Sequence, residues 1–166
     1  MNKKALIITL TVAVIIIALV VTGIVGGIFL VKKYVNISKK SITGDKFVEI
    51  MEDNGFKVSD VKYQFKNADV KVKEAYVAQK DEYQIEFYTL KDEDDADLFF
   101  RINREKFDTD SAKTKVEMSG KNYASFNVEA NGKYKFLERI DETVIYINVD
   151  KEFKSDVKDI VKTLGY

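Results

Sequence analysis

Four sets of residues have types and spacing that could do chemistry. The first is the acidic run Asp92-Glu93-Asp94-Asp95-Ala96-Asp97, whose closely spaced carboxylates are the raw material of a calcium loop. Such a loop needs glycine at its sixth position and a closing glutamate at its twelfth. Counted from Asp92 those positions hold Asp97 and Asn103, so an EF-hand is excluded. The run reads instead as a helix start, because carboxylates stabilise the positive N-terminal end of a helix. Ala96, Phe99, Phe100, Asn103 and Phe107 then share one face, and Arg101, Arg104 and Lys106 follow toward the negative end.

The second set is Ser155 with Lys158, the Ser-x-x-Lys spacing of serine acyl enzymes. No Lys-Thr-Gly or Ser-Asp-Asn accompanies it, so the pair is a coincidence in a lysine-rich chain. The third comprises Gly120-Lys121 and Gly132-Lys133, which lack the earlier glycine of a phosphate-cradling loop. The fourth is Glu138, an acidic residue among alternating apolar ones. It is expected at the sheet margin, reaching water. Burial there would raise its carboxyl pKa and make it a candidate acid.

Composition removes further classes. The chain has no histidine and no cysteine, which excludes histidine triads, thiolate nucleophiles, disulfides and zinc sites built on those ligands. All 27 acidic residues, and every basic residue except Lys3 and Lys4, follow Val31. The signs are interspersed and nearly balance, which leaves no electrostatic footprint for nucleic acid. No catalytic, cofactor-binding or metal-ligating residue is assigned, and no cofactor is expected.

The longest uncharged stretch is Ala5 to Val31, which has no proline and only threonine as a polar side chain. As a helix it would extend ~40 Å, more than the ~30 Å hydrocarbon core of a bilayer. It is expected to be an uncleaved signal-anchor in the cell membrane, with residues 1–4 as a short basic tail. Lysines flank both ends of it. A short basic tail before a long apolar run favours placing the following domain outside the cytoplasm. Gly23 and Gly27, with Thr22 and Gly26 beside them, repeat the small-residue spacing by which membrane helices associate. The expected partners are therefore the lipid bilayer, a second copy through this helix, and a protein or envelope component.

Behind it, residues 32–42 suit a linker and 43–166 a globular domain. Thr43 caps a helix whose apolar face is Phe47, Ile50 and Met51, closed by Gly55 and followed by Phe56. Val157, Ile160, Val161, Gly165 and Tyr166 repeat that arrangement at the C-terminus. Phe56 to Phe65 is a weak strand or irregular segment. Val72 to Gln79 and Tyr83 to Leu90 alternate as a hairpin, and strands are expected at Thr114 to Met118, Tyr123 to Ala130, Lys133 to Ile140 and Thr143 to Val149. Pairing apolar with apolar sets Phe126 against Phe136 and Val128 against Tyr134, which needs a three-residue loop around Gly132. The next turn sets Phe136 against Ile147 and Tyr134 against Val149. On the opposite face Leu137, Arg139, Val144 and Tyr146 form an apolar patch, the candidate contact surface.

The expected fold is thus α+β: a transmembrane helix, then an antiparallel sheet of about five strands with about three helices over one face. The expected function is a non-catalytic interaction or accessory domain. The alternatives are an extracytoplasmic hydrolase using carboxylates alone, and a membrane-helix dimer that scaffolds or senses.

Overall fold

The computed structural model describes residues 29–108 and 114–166. The chain runs β1 (Phe29–Tyr34), α1 (Gly44–Asp53), β2 (Lys57–Asp60), a 3-10 turn (Lys62–Phe65), β3 (Val72–Lys80), β4 (Tyr83–Leu90) and α2 (Glu93–Phe107). It continues through β5 (Thr114–Ser119), β6 (Tyr123–Ala130), β7 (Lys133–Ile140), β8 (Thr143–Asp150), a second 3-10 turn (Lys151–Phe153) and α3 (Lys154–Leu164).

Two of the helix starts and two of the helix ends carry recognisable capping chemistry. The Thr43 hydroxyl accepts from the Lys46 N–H at the start of α1, and the Asp92 carboxylate accepts from the Asp95 N–H at the start of α2, each satisfying a donor that has no intrahelical partner. Gly55 and Gly165 take positive φ, +81° and +85°, and so turn the chain at the ends of α1 and α3. Phe56 then donates to the Met51 carbonyl and Tyr166 to the Val161 carbonyl, which folds both aromatic rings into one core.

The eight strands form one sheet in the order β1-β5-β6-β7-β8-β4-β3-β2. All pairings are antiparallel except that of β1 with β5, which is parallel. Both faces are covered. Phe47 and Met51 of α1 and Val157, Val161 and Leu164 of α3 pack on Ile85, Phe87, Phe136, Ile145 and Ile147. Ala96, Phe99, Phe100 and Phe107 of α2 pack on Tyr88, Phe126, Val128, Leu137 and Val144 of the other face. The result is a three-layer sandwich with two apolar cores.

This corrects the expected fold in three respects. The sheet has eight strands and is mixed, not five and antiparallel. The helices divide between two faces. Phe29 to Val31, expected as the end of a transmembrane helix, lie in strand β1, paired with Thr114, Lys115 and Val116; an unbroken apolar run does not by itself separate helix from buried strand. No helix among the described residues is long and apolar enough to cross a membrane. The rest of the expected membrane span and signal-anchor, including Thr22, Gly23, Gly26 and Gly27, lies outside the described residues.

Register departs from expectation in one hairpin and matches it in the next. Phe126 lies opposite Leu137 and Val128 opposite Lys135, joined by the two-residue turn Asn131-Gly132, whereas Phe136 opposes Ile147 and Tyr134 opposes Val149 as expected. In the first hairpin Phe126 and Val128 face α2, while Tyr134 and Phe136 face α1 and α3. The pairing of apolar with apolar assumed one buried face, and this sheet has two.

Residues 35–43 are fastened across the α1/α3 face. Val35 N–H donates to the Ser119 carbonyl and Lys121 N–H to the Ile37 carbonyl. The Asn122 side chain accepts from Lys39 N–H at 3.0 Å and donates to the Lys39 carbonyl at 2.8 Å. Gly120 permits this approach, because a Cβ there would lie 2.7 Å from the Ile37 carbonyl oxygen.

Candidate functional site

Strand β4 alternates its side chains between the two cores, and its even positions Gln84, Glu86 and Tyr88 stand on the α2 face. Helix α2 covers only part of that face. The loop from Phe65 to Val70 rises beside it, anchored by the buried Val70 and by the edge of the Phe65 ring against Tyr88, 5.3 Å between centroids. Between loop, helix and sheet lies a cleft of about 440 Å³, within the ~300–1,000 Å³ range of small-ligand sites.

Glu86 and Tyr146 form its floor; they are directly paired across β4 and β8. The Tyr88 hydroxyl donates to Glu86 Oε2, and Gln84 Nε2 donates to Oε1 at 2.8 Å. Each carboxylate oxygen accepts more than one hydrogen bond, so Glu86 keeps acceptor capacity toward the cleft. Burial, and then the neighbouring Glu86 charge, push the Tyr88 phenol well above its ordinary value, and the same causes in the same order raise Tyr146. Both phenols are therefore neutral donors at physiological pH.

The helix contributes Phe99, Ile102, Asn103 and Lys106 to one wall. Phe99 packs on Tyr88 at 4.7 Å between centroids, and Asn103 holds its amide in place by donating to the Phe99 carbonyl at 2.9 Å. The loop contributes Phe65, Asn67 and Asp69. The cleft thus combines aromatic and aliphatic walls with two carboxylates, two carboxamides, two phenols and one ammonium group. No cluster of three or more metal-ligating side chains occurs among the described residues.

Of the candidate contact patch, Tyr146 reaches the cleft, its ring packed 4.8 Å from Phe107. Leu137 and Val144 are fully buried beneath α2. Arg139 donates from Nη1 to the Asp141 carbonyl at 3.2 Å, with its Nε 3.9 Å from Asp97. The structure brings these four residues onto one face, burying Leu137 and Val144 and leaving Arg139 and Tyr146 partly exposed. Glu86 carries no signal of a site in the sequence, because it alternates with Tyr83, Ile85 and Phe87 as a solvent-facing residue would. Tyr88, breaking that alternation with a large apolar ring, was the available signal of a second buried face.

Glu138 also differs from expectation, being only 2% exposed. Its carboxylate pairs with the Lys39 ammonium, which also stands 5.0 Å from the centre of the Tyr123 ring. Burial raises the Glu138 carboxyl pKa, and the hydrogen bond and charge of Lys39 oppose the rise. The pair closes residues 35–43 onto the sheet and belongs to the α1/α3 face, away from the cleft.

No protein-family model matches this chain, and no curated protein does. A solved structure described as a GTP binding regulator from Thermotoga maritima is similar over 75% of this chain and 88% of that one, at 16% identity and a TM-score of 0.49. A likeness at that level carries no argument about what this chain binds.

Proposed function

We propose that this chain is a non-catalytic binding domain that holds its partner or an envelope component in the α2-face cleft. The supporting observation is the cleft itself: separate elements converge on one concavity whose groups are suited to hydrogen bonding and stacking. Filling it tests the reading. Ile102→Trp would put an indole into the cleft from the exposed side of α2, and a partner recovered by full-length wild-type chain from a mild-detergent extract is expected to be lost. Unchanged recovery with I102W, in protein that melts as wild type does, sets the cleft aside as the binding site.

A second reading, a hydrolase using carboxylates alone, is favoured by one observation: Glu86 and Asp69 line the same cleft, as two carboxyl groups must in a glycosidase. It predicts hydrolysis of aryl glycosides that Glu86→Gln abolishes. Absence of turnover by the wild-type chain across such substrates disposes of it.

A further inference from the structure

We infer that the ligand of this cleft is a neutral oligosaccharide, an inference that rests on the binding reading above. Charge argues first. Glu86 and Asp69 outnumber Lys106 in the lining, so an anion is repelled, and with both signs present no single ligand charge is matched throughout. The polar groups argue next, because Glu86 only accepts, Lys106 only donates, and the Asn67 and Asn103 carboxamides do both. Hydroxyl groups each donate and accept, so a polyhydroxyl ligand can satisfy all of these at once. The walls complete the match: Phe65, Phe99 and Ile102 are apolar, and a pyranose ring carries an apolar C–H face between its equatorial hydroxyls. An inorganic ion would leave those walls unused.

A second hollow indicates more than one sugar ring. About 520 Å³ of open space bounded by Asp60, Lys62, Tyr63, Phe65, Lys66 and Val72 adjoins the cleft through the shared residue Phe65. At its rim Tyr63 is 67% exposed, a large aromatic side chain outside both apolar cores. Such a ring is the type of surface on which a flat amphipathic ligand stacks. The chain thus sets an inner site, floored by Glu86 and Tyr146, beside an outer aromatic platform at Tyr63.

Titration of the 15N-labelled full-length chain with a panel of neutral oligosaccharides of one to five rings tests this, using β-1,4-linked N-acetylglucosamine, cellulose-type and maltose-type series. Arginine amide and glutamate serve as charged controls. At least one series is expected to shift amides of residues 63–70, 86–88 and 102–106 saturably, tightening with length. Glu86→Gln is expected to weaken the longest member by about tenfold or more, as loss of a hydrogen bond to a charged group does. Tyr63→Ala is expected to weaken the longest member and to spare the single ring; Tyr63 is exposed, so its removal leaves the fold intact. Shifts produced by a charged control and by no oligosaccharide overturn the inference, as does a panel that shifts nothing. An unchanged affinity of Y63A for the longest member overturns the two-hollow assignment. If I102W loses a partner while no oligosaccharide binds, the cleft reading stands and the carbohydrate assignment alone falls.

Discussion

Glu138 is the residue whose environment differs most from what its neighbours in sequence imply. A carboxylate in the midst of Phe136, Ile140 and Tyr123 loses its hydration, and the Lys39 ammonium stands in for the lost water. Removing the cation leaves the acid buried without a counter-charge. Lys39→Met is therefore expected to cost about 3 kcal/mol near neutral pH, read by urea unfolding, and less in acid, where Glu138 takes up a proton. The wild-type pH dependence follows from the raised carboxyl pKa, which has burial as its main cause. The folded chain holds this proton more tightly than the unfolded one, so its stabilising contribution is present below the ordinary value of 4.5 and is lost as pH rises through the folded value. Glu138→Gln is expected to flatten that part of the stability profile; an unchanged slope would mean that another group sets it.

At the scale of elements, the β6–β7 hairpin shows how local and global signals compete. Asn131-Gly132 is the strongest short-range turn signal in the chain, since a two-residue hairpin turn of this kind needs positive φ at both positions. Both residues adopt it, at 51° and 75°. A longer loop placing Phe126 against Phe136 would match apolar side chains across the strands at the expense of this turn's backbone chemistry. The strands resolve the conflict differently: Lys135, opposite Val128, spans the α2 face with its ammonium 5.3 Å from the Phe107 ring centre. A long stem with a charged tip covers apolar surface without burying the charge. Gly132→Ala is expected to destabilise the domain by about 1 kcal/mol, the cost of a Cβ in left-handed backbone. Beyond its own chain neighbours no atom lies within 4 Å of the position a Cβ would take, so that cost is one of local backbone conformation and not of packing. A Gly132→Ala chain with wild-type stability in denaturant would contradict this account.

At the scale of the molecule, β7 and β8 contribute alternate residues to two cores, so neither core can open without unpairing the strands that carry the other. Leu137 faces α2 and Ile145 faces α1 and α3, both fully buried. Alanine at either position is expected to cost about 2–5 kcal/mol and to leave one unfolding transition, with helix content and aromatic signals lost together. Two separated transitions in either variant would show that the layers fold independently. The pieces were legible in the chain: the Thr43 cap, the acidic helix start at Asp92, the glycine-aromatic endings at Gly55 and Gly165, and strands β4, β6, β7 and β8 follow from caps, end charges, turns and period-two alternation, all of which are local. Its composition also excluded histidine and cysteine chemistry outright. Packing between distant segments set the rest: Leu137 and Val144 lie under a helix, Phe29 to Val31 lie in edge strand β1, Glu138 is buried, and Glu86 floors a cleft. All four depend on contacts between residues far apart in sequence. Which face of a strand meets water depends on what packs there from elsewhere in the chain, and a pattern of apolar residues records burial without recording the element that provides it.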